Sequence, residues 1–164
     1  MDAMVYTYAC QQVSAYCYSC ACIKRNASSY CLLYGIPPEI RKQLVSFDNP
    51  KETITNSDLE LAGTYLHHDT IAQNCDLLEH TLASHVYTTS TVFWQRKGAA
   101  TSIPALVRLL RLQALHQRCH RYVPRHDFIA DDNSKLADDP SRLSHFSDQQ
   151  FLRCFNLKYP QHLP

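Results

Sequence analysis

The sequence predicts an α/β fold on three observations: strand-like and helix-like segments alternate from Thr53 onward, short polar or proline-bearing breaks separate them, and two of the helical stretches carry apolar residues at helical spacing. Thr53-Ile54-Thr55 reads as the end of a strand. Asn56 or Ser57 then serves as an N-cap, and Asp58 and Glu60 lie in the first turn, where carboxylates favour the helix dipole. Leu59, Ala62, Leu66 and Ile71 extend that helix to about residue 80. Residues 85–94 (HVYTTSTVFW) are β-branched and aromatic and are expected to form a strand. Ser102 caps a second helix with Pro104 in its first turn, running to about Arg121. A short strand over 125–129 and a last helix over 134–145 complete the pattern.

Upstream of Thr53 the character differs. Five of the eight cysteines and five of the ten tyrosines fall within the first 31 residues. Tyr6, Tyr8 and Cys10, then Tyr16, Tyr18, Cys20 and Cys22, keep a spacing of two, which suits two short strands. Pro37-Pro38 and Asn49-Pro50 bracket a loop-rich stretch with one short helix over 38–45. Residues 1–35 therefore read as a divergent Cys/Tyr-rich segment, and 36–160 as the main domain.

Composition narrows the chemistry. With 164 residues the chain suits one ordinary domain. Its three glycines (Gly35, Gly63, Gly98) cannot build a phosphate-cradling loop of the P-loop or dinucleotide type. The uncharged run 3–23 is too polar for a spanning helix and lacks the basic start and apolar block of a signal peptide, so no membrane and an intracellular setting with reduced cysteines are expected. Net charge is +1, yet residues 80–126 hold seven cations and no carboxylate, and 127–148 hold six aspartates against Lys135 and Arg142. Such an order suits a protein that holds a polyanion and sets carboxylates beside it; mutual neutralisation across one surface explains it equally well.

Four constellations carry chemistry. Cys17-x-x-Cys20-x-Cys22 has thiolate spacing for zinc but lacks a second pair, with only Cys10 or Cys31 to complete it, and small buried side chains explain it better. His116, Cys119 and His120 share a helical face, but arginines surround them and disfavour a cation. Arg108, Arg111 and Arg118 gather on one arc of their helix, opposite Ile103, Leu106, Leu109 and Leu110. Trp94, Arg96 and Lys97 lie just upstream, so stacking and phosphate contacts are expected from this region, against the plainer reading of a solvated face. Finally, Asp58, Glu60, Asp138 and Asp139 start helices that follow strands; such carboxylates can converge on Mg²⁺ at a sheet edge, or simply favour helix N-termini.

Three strings add a resemblance. ITNSDLELAGTYLHHD (54–69), TVFWQRKGAATSIPALVRLLRLQALHQRCHRYVPRHDFI (91–129) and ADDPSRLSHFSD (137–148) together resemble the ribonuclease H-like domain at the C-terminal end of retrotransposon reverse transcriptase polyproteins. The resemblance covers about residues 36–160 and implies a mixed five-stranded sheet flanked by helices that cleaves the RNA strand of RNA–DNA hybrids with Mg²⁺. It implies catalytic and metal-binding roles for Glu60 and Asp138, and Asp2 as the first-strand aspartate. Where the family writes an aspartate before VFW, this chain has Tyr87. A neutral phenol cannot replace a carboxylate on Mg²⁺, so activity is expected to be impaired. The alternative is a non-catalytic nucleic-acid-binding or interaction module. No polymerase portion is present in these residues.

Overall fold

The computed structural model describes residues 3–7, 16–22, 29–86, 88–98, 104–128 and 146–158, with the strands before Ile36 described through their backbone pairing. Asp2, Tyr87, Asp138 and Asp139, Ile103, and the helix expected over 134–145 lie outside these residues. Among the described residues, five strands form one sheet: β1 (Ala3–Thr7), β2 (Tyr16–Cys22), β3 (Ser29–Gly35), β4 (Thr81–Val86) and β5 (Val123–Phe128), in the order β3-β2-β1-β4-β5. The first three pair antiparallel, whereas β1–β4 and β4–β5 pair parallel. The segment before residue 36 thus supplies three strands rather than the two expected, and all three join the sheet that holds β4.

The helices are α1 (Pro38–Arg41), α2 (Asn56–Asn74), α3 (Thr89–Lys97), α4 (Pro104–His120) and α5 (Asp148–Lys158). Thr55, one residue earlier than expected, caps α2. Its hydroxyl accepts the Asp58 N–H while the Asp58 carboxylate accepts the Thr55 N–H, a reciprocal capping box. The helix ends at Asn74 rather than near 80, and Leu77 beyond it turns into the core.

The strand expected over 85–94 is corrected. β4 stops at Val86 and α3 begins at Thr89. β-branched residues favour strands only weakly, and tertiary contacts decide between the two states. Here Thr91 donates to the Ser57 carbonyl of α2 at 2.9 Å, a bond that fixes the start of α3 against its neighbour. Gly98, in a left-handed conformation at φ 62°, ends that helix.

Apolar clusters occupy both faces of α2. Ile71, Leu77, Leu82 and Tyr122 pack between α2 and the parallel strands. Leu61 meets Leu106 and Leu110 of α4, and Leu59 meets Ile36. Burying a residue such as Leu61 from water contributes about 2 kcal/mol. The deepest stripe of α2 is nonetheless polar: Glu60, Thr64, His67 and His68 are all buried beside Ile71. That stripe builds the site.

Candidate functional site

Glu60 stands at the end of the sheet where β4 runs out. Its side chain is almost fully enclosed, at 1% exposure. Oε2 accepts the Thr88 backbone N–H at 2.9 Å and lies 2.9 Å from the Thr88 hydroxyl. Oε1 is buried with no hydrogen-bond partner among the described residues. Thr91 spends its proton on Ser57 and therefore accepts from Thr88 at 2.7 Å. A hydroxyl has one proton to give. While Thr88 gives it to Thr91, the contact with Glu60 is satisfied only if the carboxyl is itself protonated. Burial works in the same direction, pushing the Glu60 carboxyl up to about 7 from an ordinary 4.5, against the smaller opposing effect of the Thr88 bonds.

Residue 87 follows Val86 directly and precedes the Thr88 that holds Glu60. The expected position for a second carboxylate is therefore covalently next to Glu60's partner. On the parallel pair, Thr7 lies beside Val86 and Ala3 beside Leu82. The end of β1 nearest Glu60 is that of Thr7, about 13 Å along the strand from Ala3.

Among the described residues no group of three or more His, Cys, Asp or Glu can hold a metal ion. Mg²⁺ takes about six oxygens, several of them water. One enclosed Glu60 oxygen does not constitute such a donor set, and the described residues do not fit a Mg²⁺ site. Cys17, Cys20 and Cys22 all lie on β2, where the register sets Cys20 opposite Cys31. Positions 17 and 20, an odd number apart, fall on opposite faces of the strand.

His116 and His120 do meet, with ring centroids 4.3 Å apart, while Cys119 is exposed. His116 is engaged otherwise, in a buried polar chain that sequence reasoning missed. Ser84 Oγ lies 2.7 Å from His68 Nε2, and His68 Nδ1 lies 3.3 Å from the Tyr122 hydroxyl. That hydroxyl in turn lies 3.1 Å from His116 Nδ1. Next to this chain, Gln113 Nε2 lies 3.3 Å from His126 Nε2. Burial pushes His68 well below its usual value, with the neighbouring histidines adding to it, and pushes His126 down to about 4, helped by Arg96. The three histidines, His68, His116 and His126, spread over 59 positions, so no local motif joined them.

The basic residues separate into two groups. Arg108, Arg111 and Arg118 are exposed on α4 and make no ion pair with a described residue; Leu112 and Leu115 lie exposed among them. Leu106 and Leu110 face inward as expected, with Leu109 half-buried. Trp94 packs against the Leu61, Leu106 and Leu110 cluster, so it serves the core. The exposed aromatic of α3 is Phe93, with the Lys97 ammonium 4.3 Å over its ring. Arg96 reaches away from α4 to β5, where it bonds the His126 carbonyl and Asp127. No helix among the described residues is long and apolar enough to cross a membrane. No protein-family model matches the chain, and no curated protein matches it.

Proposed function

We propose that this chain is a nucleic-acid-binding domain of ribonuclease H-like descent, from the C-terminal end of a retrotransposon reverse transcriptase, with an impaired catalytic centre. The observation that carries the reading is the placement of Glu60. It lies on the long helix following three antiparallel strands, with its carboxyl at the C-terminal end of a parallel strand. That is where the resemblance asks for a metal-binding carboxylate. Asp138 is the proposed second one, and Tyr87 replaces the third. Mg²⁺, when bound at a complete site of this kind, activates water and stabilises the leaving oxygen of a phosphodiester. Here Glu60 is neutral for much of its population near pH 7, and Thr88 already occupies one of its oxygens. Binding without turnover follows.

The exposed arginines of α4 supply that binding, through phosphate contacts that release counterions and depend little on base sequence. The test combines labelled RNA–DNA hybrid, Mg²⁺ and the purified chain. Fluorescence anisotropy should show affinity that falls steeply with salt, and gel analysis should show no Mg²⁺-dependent cleavage. Arg108→Ala/Arg111→Ala/Arg118→Ala should flatten the log–log salt slope by about three units, one per lost contact. Equal affinity and slope for wild type and this variant overturn the reading, as does an absence of hybrid binding at about 50 mM salt, where such contacts are strong. Tyr87→Asp should raise Mg²⁺ affinity in calorimetry; unchanged binding would mean that the metal site is lost for other reasons.

A further inference from the structure

An open pocket of about 580 Å³ lies between the C-terminal end of α3 and β5, lined by Arg96, Lys97, Gln117, Arg125 and Asp127 among others. β5 is the outermost strand on its side of the sheet, so the pocket lies at a sheet edge. Arg96 crosses to it and donates from Nε to the His126 carbonyl at 2.7 Å. Its Nη2 meets Asp127 Oδ1 at 2.7 Å, and Arg125 Nε meets Asp127 Oδ2 at 2.8 Å. One carboxylate thereby holds two guanidinium groups side by side.

The donors are mostly unspent. Each guanidinium has five N–H groups in a fixed fork. Arg96 uses two on these contacts and Arg125 one. Lys97 lines the same rim, its ammonium resting over the exposed Phe93 ring. Two guanidinium groups thus meet one carboxylate, and with Lys97 in the lining the pocket carries an excess of two positive charges. Gln95 and His126 also line the pocket: Gln95, only 9% exposed, has an amide oxygen and nitrogen with no hydrogen-bond partner among the described residues, and His126 Nδ1 is in the same condition. A surface ion pair needs one cation for one carboxylate. Here two guanidinium forks have N–H groups left over beside the unpartnered polar atoms of Gln95 and His126, and a tetrahedral anion uses such a fork well.

We propose that this pocket takes one phosphodiester group of a nucleic-acid strand, gripped by Arg96, Arg125 and Lys97. The proposal rests on the nucleic-acid reading given above and adds a contact point separate from the arginine face of α4. Arg125, which the sequence offers only as one more cation of a basic stretch, becomes a specific binding residue.

The test uses the full chain with three probes: the RNA–DNA hybrid, a dithymidine monophosphate carrying one phosphodiester, and inorganic phosphate. Anisotropy across a salt series should show the hybrid slope reduced by about one unit in Arg125→Gln and about two in Lys97→Gln/Arg125→Gln. Nuclear magnetic resonance of the wild type should show dithymidine monophosphate shifting the Gln95 side-chain amide and the Arg125 Nε–H signals, a readout that needs no variant to fold. If the α4 triple variant loses hybrid affinity while Lys97→Gln/Arg125→Gln keeps the wild-type slope, the pocket is refuted and the nucleic-acid reading stands. If the wild type binds no hybrid, both fall. Inorganic phosphate moving the Gln95 amide when dithymidine monophosphate does not also overturns the proposal.

Discussion

Replacing Glu60 by glutamine tests the central feature of the candidate site. Glutamine keeps the shape and still offers an oxygen to the Thr88 N–H, but it carries no charge at any pH. In the folded protein the Glu60 carboxyl titrates near 7, against an ordinary 4.5. The folded state therefore holds this proton more tightly than the unfolded chain does. Its contribution to stability is full below about pH 4.5 and is lost as pH rises through 7. A gap of about 2.5 pH units at about 1.4 kcal/mol each gives roughly 3 kcal/mol across that window. Urea denaturation of wild type and Glu60→Gln, at half-unit steps from pH 4.5 to 8, measures it directly. The wild type should lose about 3 kcal/mol relative to the variant over the series, with most of the change between pH 5 and 7. Every other titrating group cancels in the difference. A flat difference curve would refute the reasoning, since it would place the ionised carboxylate comfortably in its folded environment.

Two further expectations concern stability. His126 titrates near 4 when folded against an ordinary 6.5, so its contribution is present above pH 6.5 and is lost as pH falls toward 4; in the Glu60→Gln background acid should destabilise the protein by up to about 3 kcal/mol through this residue, and His126→Gln should shrink that limb of the denaturation profile. Thr55→Ala removes the hydroxyl of the α2 capping box and should cost about 1 kcal/mol in urea denaturation at constant slope.

The parts of the fold that sequence could show were those with local causes. Asp58 at the third position of α2, Pro104 at the start of α4 and the apolar arc Leu106–Leu110 act within a turn or two of chain, and the structure has them where the pattern puts them. Threonine misled the reading of 85–94, because its β-branch counts toward a strand while its hydroxyl binds across elements, as those of Thr88 and Thr91 do. α5 was missed although its signal is present: Ser147 and Gln150 form the Ser-x-x-Gln capping pair, and the Gln150 side chain accepts the Ser147 N–H at 2.9 Å. Glu60 stood out in the sequence as an acid in a first turn; its near-total enclosure and its bond to a residue 28 positions away could not be seen there.

Placing the first strand at the centre of the sheet has a consequence for how the chain acquires its structure. β2 and β3 are local partners of β1, but β4 joins it only through pairs such as Ala3 with Leu82, 79 positions apart. During synthesis at about 5–20 residues per second, the β1 edge that β4 will occupy waits roughly 4–16 s for its partner to be made. Over that interval the early three-stranded unit has an unpaired flank, the kind of surface to which another chain can pair. The parallel half of the sheet then closes a long loop before its contacts stabilise it, which places this domain among slow rather than fast folders.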